Sequence, residues 1–121
     1  MATILTVDDS PSIRQMIRVA LEPVGHSVVE AGDGAEGLRK ITGASIDLVI
    51  TDLNMPVMDG IEMIRSMREM PALTGLPIVF LSTESNEGVK QKAKAAGATG
   101  WITKPFKPEQ LVSVVTKLVR R

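Results

Sequence analysis

Residues 46–60, IDLVITDLNMPVMDG, carry the pattern on which the predicted fold depends. The run 47–51 is short, apolar and rich in β-branched residues, which indicates a buried strand. Asp52 follows that run directly, and the pair Asp59-Gly60 is typical of a turn and a helix start. The segment therefore predicts a strand that ends in an acid, then a loop, then a helix.

The same unit, a short apolar run followed by a helical stretch, occurs five times along the chain. The five predicted strands cover residues 4–7, 27–31, 47–51, 77–81 and 99–103. Alternating strands and helices imply a parallel sheet that helices cover on both faces. Because crossovers between parallel strands are right-handed, a doubly wound α/β sandwich is the expected fold.

The helices are predicted from capping residues and apolar spacing. The first follows Ser10 as a cap, with proline at its first position. One apolar stripe is expected along it: Ile13, Met16, Ile17, Ala20 and Leu21. Asp33, with Glu36 three residues later, predicts the start of the second helix. The fourth helix, at about residues 87–96, is expected to be the least stable because it contains Gly88.

Composition excludes several classes of protein. The chain has 121 residues, the size of one domain, and is 44% hydrophobic and 23% charged, which is typical of a globular protein. No run of 18 apolar residues occurs, so no membrane span is expected. The chain has no cysteine, which excludes disulfides and thiolate metal sites. Since no secretory signal is evident, a cytoplasmic location is expected.

The charge of the chain is balanced overall but unevenly distributed. Residues 90–121 contain eight basic residues and one acid, a net +7, so the first 89 residues hold six basic and thirteen acidic residues, a net −7. Because aromatic side chains for base stacking are few, we expect an acidic protein partner and no nucleic acid. Lys90, Lys92 and Lys94, with Trp101, form the expected partner face, although such lysines are also typical of a solvated helix face.

Polar and charged residues follow four of the predicted strands. Asp8 and Asp9 follow the first strand, Asp52 the third, Thr83 the fourth and Lys104 the fifth. In a doubly wound fold, ligands bind beyond the carboxyl ends of the strands, so the fold would gather these residues at one edge. Three carboxylates this close repel one another unless a cation is present. Carboxylate, carbonyl and water ligands suit Mg²⁺.

Such an edge would suit phosphoryl transfer. A Mg²⁺ ion, Lys104 and the hydroxyl of Thr83 would stabilise the charge on the equatorial oxygens of a phosphoryl group. One of the carboxylates could then act as a nucleophile and form an acyl phosphate. Taken singly, each residue has a plainer explanation: Asp8 and Asp9 as helix caps, Thr83 as a turn hydroxyl and Lys104 as a solvated charge. Their coincidence at one edge favours the site.

The whole pattern resembles the receiver domains of bacterial two-component systems, and among them the stand-alone chemotaxis regulators of the CheY type. The matching segments are Val7-Asp8-Asp9-Ser10, residues 52–60, Leu81-Ser82-Thr83 and Lys104-Pro105-Phe106. The resemblance covers the whole chain. It implies a flavodoxin-like (βα)5 fold with strand order 2-1-3-4-5. It also implies a single receiver domain over residues 1–121, without an output domain, and a monomer.

The resemblance also implies a role for each acid. Asp52 would be the phosphoryl acceptor. Asp9 would contact Mg²⁺ directly, and Asp8 would bind it through water. Asn54 would contribute its backbone carbonyl as a further ligand. The family's arrangement thus implies a metal site made of Asp8, Asp9, Asp52 and Asn54.

Further roles are implied around the phosphoryl group. Thr83 and Lys104 would each bind a phosphoryl oxygen, and the Lys104-Pro105 bond is expected to be cis. Trp101 occupies the position of an aromatic switch residue, which is usually tyrosine or phenylalanine in the family. Thr83 and Trp101 together would then form the switch.

The implied function is signalling, with catalysis limited to the chain's own phosphorylation and dephosphorylation. A histidine kinase would donate the phosphoryl group, a phosphatase could remove it, and the output protein would be, for example, a flagellar motor switch component. A phosphate sink, a regulator of another target and a domain of a larger regulator remain alternatives. A Mg²⁺-dependent aspartyl phosphatase is disfavoured because its two acids typically lie two residues apart on the first strand. A flavin or nucleotide binder is disfavoured because no glycine-rich loop follows that strand.

Overall fold

The computed structural model describes residues 2–43, 45–84 and 86–119. The strands are β1 (Thr3–Val7), β2 (Ser27–Ala31), β3 (Leu48–Thr51), β4 (Ile78–Ser82) and β5 (Gly100–Thr103). The α-helices are α1 (Pro11–Leu21), α2 (Gly34–Gly43), α3 (Gly60–Arg68), α4 (Glu87–Ala96) and α5 (Pro108–Val119). Single 3₁₀ turns occur at Glu22–Val24 and Pro71–Leu73. The strand bounds agree with the sequence predictions to within one residue at each end.

The five strands form one parallel sheet in the order β2-β1-β3-β4-β5, which confirms the predicted doubly wound fold. The register places the last residues of β1, β2 and β3 at one level and the last residues of β4 and β5 at another. Val7 of β1 pairs with both Ala31 of β2 and Thr51 of β3, and Ser82 of β4 pairs with Thr103 of β5. As a result, the residues that follow these strands emerge along one edge.

Two apolar cores lie on the two faces of the sheet. One is formed with α1 and α5 and includes Ile17, Ile50 and Leu111. The other is formed with α2, α3 and α4 and includes Met63 and Phe80. Burial on both faces explains why the strands are almost continuously apolar in sequence, as is usual for parallel sheets.

The caps follow the sequence pattern closely. Ser10 Oγ accepts the N–H of Ile13 at 3.3 Å, with Pro11 as the first helical residue of α1. At α3, Asp59 and Glu62 form a reciprocal capping box, so Asp59 serves as a helix cap, as predicted. At α2, Asp33 Oδ1 accepts the N–H of Glu36 at 2.8 Å.

One packing expectation for α1 is wrong. Met16 was expected in the buried stripe but is 46% exposed, whereas Ile17, Ala20 and Leu21 are buried. The reason is that the Met16 side chain leaves the helix toward a surface cleft and not toward the core. Met16 lines a cleft of about 230 Å³ between α1 and the start of α5, so only part of its side chain is covered. None of the described helices combines the length and the apolarity needed to cross a bilayer.

Candidate functional site

Three carboxylates meet at the carboxyl edge of the sheet. One oxygen each from Asp8, Asp9 and Asp52 lies within 4.8 Å of the others. Two main-chain hydrogen bonds just beyond the strands position Asp8 and Asp52. Asp8 N–H donates to Ala31 O at 3.0 Å, and Asp52 N–H donates to Val7 O at 2.8 Å. The first and third strands thus present their acids side by side, as predicted from the sequence.

The three acids differ in exposure. Asp8 is only 1% exposed, Asp52 is half-buried and Asp9 is exposed. Both oxygens of Asp8 are hydrogen-bonded, since Oδ1 accepts the N–H of Ser10 at 2.9 Å and Oδ2 accepts a hydrogen bond from Lys104 Nζ at 3.2 Å. A buried charge is tolerated when it is paired and hydrogen-bonded in this way.

Lys104 links the two inner acids. Its Nζ lies 3.2 Å from Asp8 Oδ2 and 3.6 Å from Asp52 Oδ1. The N–H of Lys104 donates to Ser82 O at 2.8 Å, which continues the pairing of β5 with β4 up to the site. The Lys104-Pro105 bond is cis, as expected, and Phe106 is buried in the core beside α1 and α5. The loop therefore holds the ammonium group against the acids.

The electrostatic balance is most visible at Asp52. The pKa of the Asp52 carboxyl is raised above its ordinary value of 3.8, mainly by burial and next by the negative charge of Asp8. Lys104 and the Leu53 N–H act in the opposite direction and lower this pKa. Three carboxylates and one ammonium leave a formal charge of −2. The donor set is made of hard oxygen atoms, so the residues present suit one divalent ion such as Mg²⁺.

Asn54 and Thr83 follow β3 and β4 at the same edge of the sheet, and both are exposed. Asn54 is exposed in the loop between β3 and α3, two residues after Asp52. Thr83 is exposed directly after β4. Among the described residues, no hydrogen bond joins the Thr83 hydroxyl to the three acids. A phosphoryl group that contacts both Thr83 and the acids would therefore have to lie between the Thr83 hydroxyl and the carboxylates.

Gly60 packs against the backbone of Asp52, a contact that the Asp59-Gly60 turn signal does not predict. A Cβ atom at this position would lie 2.3 Å from Asp52 O and 2.6 Å from Phe80 Cε1. The N–H of Gly60 donates to Leu53 O at 2.9 Å. Only glycine lets the first turn of α3 approach the backbone of Asp52 this closely. The Asp-Gly pair was the available signal, but it indicates a turn without showing what the glycine contacts.

Trp101 lies on β5, half-buried between the sheet and α4. Its ring centroid is 5.4 Å from that of Phe80, at an interplanar angle of 43°. Its indole Nε1–H donates to Glu84 O at 3.1 Å, in the segment that joins β4 to α4. Trp101 is thus bonded to the same connection in which Thr83 lies.

The predicted partner face contains a cleft between α4 and β5. Lys92 and Lys94 are exposed on α4, and Lys90 Nζ lies 5.9 Å from the ring centroid of Trp101. A cleft of about 260 Å³ is lined there by Lys90, Ala93 and Lys94 and by residues 98–101. The 5.9 Å separation of Lys90 Nζ from the Trp101 ring suits a cation–π contact. The cleft joins Lys90 and Lys94 to Trp101 in one surface, which we call the basic face, and Lys92 lies outside the lining of the cleft.

The fold and the site together define a class of protein: a doubly wound domain with an acid triad and a lysine at its carboxyl edge. The family model for the response regulator receiver domain matches residues 4–116. The chain belongs to this family and is a receiver domain of the two-component type. Such domains are signalling modules that accept a phosphoryl group from histidine kinases and bind Mg²⁺ at an acidic pocket.

The similar proteins include a chemotaxis regulator and transcriptional regulators. The solved structure of the chemotaxis response regulator CheY4 of Vibrio cholerae is 45% identical with a TM-score of 0.93, and the alignment covers 98% of each chain. The transcriptional regulatory protein ResD of Bacillus subtilis is 39% identical over 118 residues, 98% of this chain and 48% of ResD. The phosphate regulon regulatory protein PhoB of Pseudomonas aeruginosa is 36% identical over 98% of this chain and 52% of PhoB. The chain spans about half the length of these curated relatives.

Proposed function

We propose that this chain accepts a phosphoryl group on Asp52 and that its phosphorylated form acts by binding a protein partner. The observation that carries the proposal is the acid cluster: three carboxylate oxygens lie within 4.8 Å of one another, and Lys104 bridges the two inner acids. Asp8, Asp9, Asp52 and the backbone carbonyl of Asn54 would hold the Mg²⁺ ion. When bound, the ion would supply the positive charge that offsets the acids and the phosphoryl oxygens.

The two oxygens of Asp52 have different surroundings. Oδ1 accepts the N–H of Leu53 at 2.8 Å and faces Lys104 Nζ at 3.6 Å. We assign Oδ2 as the nucleophile, because no such bond occupies it among the described residues. A lone pair on Oδ2 forms the O–P bond while the bond from phosphorus to the donor's leaving group breaks. For a phosphohistidine donor, that group is the imidazole nitrogen, which retains the electron pair.

Lys104 and Thr83 complete this assignment. The Lys104 ammonium is held by Asp8 at 3.2 Å, so it is already in place for a phosphoryl oxygen on Asp52. A pre-positioned cation stabilises charge in the transition state without having to reorganise. Thr83 would donate its hydroxyl to a second phosphoryl oxygen.

The output of the domain is proposed from its similarity to CheY4 and from the basic face. The match to a chemotaxis regulator over almost all of both chains favours a role in chemotaxis, with a flagellar motor switch component as the partner. The alternatives are a non-motor target or a phosphate sink. The observation that supports an output other than the motor is the similarity to two transcriptional regulators. These functions can be distinguished by comparing the proteins that the phosphorylated and the unphosphorylated forms capture from a motile bacterium.

The acceptor assignment has a direct test. Incubation with acetyl phosphate and Mg²⁺ should add one phosphoryl mass to the intact protein, and Asp52→Asn should not be labelled. Asp59→Asn is the matched control, since Asp59 lies in the same loop but caps α3, and asparagine also caps helices well. Labelling of Asp52→Asn at the wild-type rate would overturn the assignment.

A further inference from the structure

Arg14 connects the acid cluster to a neighbouring strand. It lies in the first turn of α1, and its side chain is 19% exposed. Its Nη1 group donates to the main-chain carbonyl of Asp8, and its Nε donates to Glu30 Oε1 on β2 at 2.9 Å. A single planar guanidinium thus joins α1, the end of β1 and β2. On the sequence alone, an arginine on an amphipathic helix indicates only a solvated charge.

The carbonyl that Arg14 binds belongs to the peptide bond between Asp8 and Asp9. The other polar groups of Asp8 are already paired: its N–H with Ala31 and its two carboxylate oxygens with Ser10 and Lys104. Arg14 completes the set, so the Asp8 residue is held on every side. The orientation of this peptide sets the direction in which the Asp9 side chain leaves the backbone.

Asp9 depends on its backbone in a way that Asp8 does not. The Asp9 carboxylate is exposed, and no hydrogen bond to it is formed among the described residues. Its contribution to the cluster is therefore decided by the main chain that carries it. A fixed peptide keeps the carboxylate in the cluster, whereas a freely rotating one lets it turn toward solvent.

We propose that Arg14 is a positioning residue for the Mg²⁺ site, acting by holding the Asp8–Asp9 peptide so that the Asp9 carboxylate faces the cluster. The proposal depends on the proposed function, since it assumes that the cluster binds Mg²⁺. A purely electrostatic effect of Arg14 would have the opposite sign, because a positive charge near the site repels the ion. The sign of the change in affinity therefore separates positioning from charge.

Arg18 provides a matched control within the same helix. It lies one turn after Arg14 and binds the same partner, with Nη2 at 2.7 Å from Glu30 Oε2. Its main-chain contact is Val28 O at 3.1 Å, on β2 and away from the acids. Replacing either arginine removes an ion pair with Glu30, but only the Arg14 replacement releases the Asp8 carbonyl.

The test compares Mg²⁺ binding by calorimetry in wild type, Arg14→Met, Arg14→Lys and Arg18→Met, with circular dichroism to confirm folding. Arg14→Met should weaken Mg²⁺ binding about tenfold, the low end of the effect of groups that orient metal ligands. Arg14→Lys should also weaken it, because one ammonium cannot bond Glu30 and Asp8 in the same geometry. Arg18→Met should bind Mg²⁺ as tightly as wild type, because it leaves the Asp8 carbonyl bonded to Arg14.

Three results would overturn the inference: equal affinities for Arg14→Met and wild type, equal losses for Arg14→Met and Arg18→Met, or tighter binding by Arg14→Met. If Arg14→Met does not fold, the same comparison between Arg14→Lys and Arg18→Met decides. Failure of the wild-type protein to bind Mg²⁺ would count against the proposed function instead.

Discussion

The carboxylate of Asp52 lies between a repelling charge, Asp8, and an attracting one, Lys104. Its pKa is raised above 3.8, first by burial and then by Asp8. Ionisation of Asp52 therefore costs more in the folded than in the unfolded chain. The free energy of unfolding should fall as pH rises from 3.8 through the raised pKa of the folded state, and should stay reduced above that pKa.

Asp52→Asn is consequently expected to stabilise the metal-free protein. At pH 7 the gain should be roughly 1–2 kcal/mol, the scale of like charges near a surface at moderate dielectric. The difference from wild type should shrink as pH approaches 4, where the carboxyl becomes protonated. Urea unfolding in EDTA measures both effects, with Asp59→Asn as the control. A wild-type protein as stable as Asp52→Asn at pH 7 would contradict this account.

Val57, five residues after Asp52, has a strained backbone. Its φ is +69°, and Met58 N–H donates to Pro56 O at 2.7 Å, which closes a γ-turn of the rare hand. Positive φ is unfavourable for a β-branched residue. The side chain is 83% exposed, so it contributes little packing in return.

Val57→Gly should therefore raise the free energy of unfolding by about 0.5–1 kcal/mol, the relief of strain less the entropy that glycine adds to the unfolded chain. Val57→Ala is the control, because alanine keeps the Cβ atom and should bring little of the gain. Urea unfolding of the three proteins measures the differences. A loss of stability in Val57→Gly would show that this turn is not strained.

At the scale of secondary structure elements, Arg68 ties the end of α3 to its neighbours. Its guanidinium donates to Gly97 O after α4 at 2.9 Å, and to Leu73 O and Leu76 O before β4 at 2.7 Å each. Burial lowers the pKa of this guanidinium. All of its hydrogen-bond partners in the described part of the chain are main-chain carbonyls, so it satisfies loop ends that would otherwise lack donors.

Arg68→Met should lower the free energy of unfolding by about 2–3 kcal/mol, because it leaves partly buried carbonyls without donors. Arg65→Met is the control on the same helix, since Arg65 is exposed; it should change stability by less than about 0.5 kcal/mol. Chemical denaturation compares the two variants. Equal stability of the two would show that the Arg68 bonds contribute nothing beyond a surface charge.

Strand β5 and the connection before α4 are coupled through Trp101. The indole N–H is bonded to Glu84 O, one residue after Thr83. If Thr83 moves toward a phosphoryl oxygen, this hydrogen bond and the contact with Phe80 change together. Such a change gives a partner two states to distinguish.

A phosphoryl analogue with Mg²⁺ should therefore make Trp101 less accessible to a soluble quencher, while Mg²⁺ alone should have little effect. Thr83→Ala should abolish the change and still allow phosphorylation by acetyl phosphate. Trp101 is the only tryptophan, so its fluorescence is not mixed with that of another indole. Identical quenching with and without the analogue would exclude this ring as the switch.

For the whole molecule, acidic and basic residues are separated along the chain, and we expect this separation to affect the choice of partner. The acid cluster lies in the first half of the sequence, whereas residues 90–121 carry a net +7. Complementary charge raises association rates and makes them sensitive to salt. The site that receives the phosphoryl group and the surface that attracts an acidic partner can then be altered independently.

Reversing Lys90, Lys92 and Lys94 to glutamate should slow association with the partner and reduce its salt dependence, with no effect on phosphorylation by acetyl phosphate. The control is Arg65→Glu, a reversal of charge on α3 outside the basic face. Binding kinetics at two ionic strengths measure the effect. Unchanged partner association in the triple variant would place the interface elsewhere.

Much of this architecture is local in origin and was predictable from the sequence. The five strands follow from short apolar runs, and the starts of α1 and α3 follow from Ser10 and Asp59, because strand and cap preferences depend on neighbouring residues. The acids and Lys104 were identified by their position after predicted strands. The parallel sheet then brings such positions together whatever lies between them.

The tertiary structure alone decided the features that act through space. The pKa of Asp52 depends on burial and then on Asp8, which is 44 residues away, and the carbonyl that Arg14 binds becomes available only when α1 packs beside β1 and β2. Arg68 is a polar helix residue in sequence, yet it bonds loops that only the packed fold brings within reach. Local propensity cannot encode these contacts, because their energies come from burial and from distances between segments that are far apart in the chain.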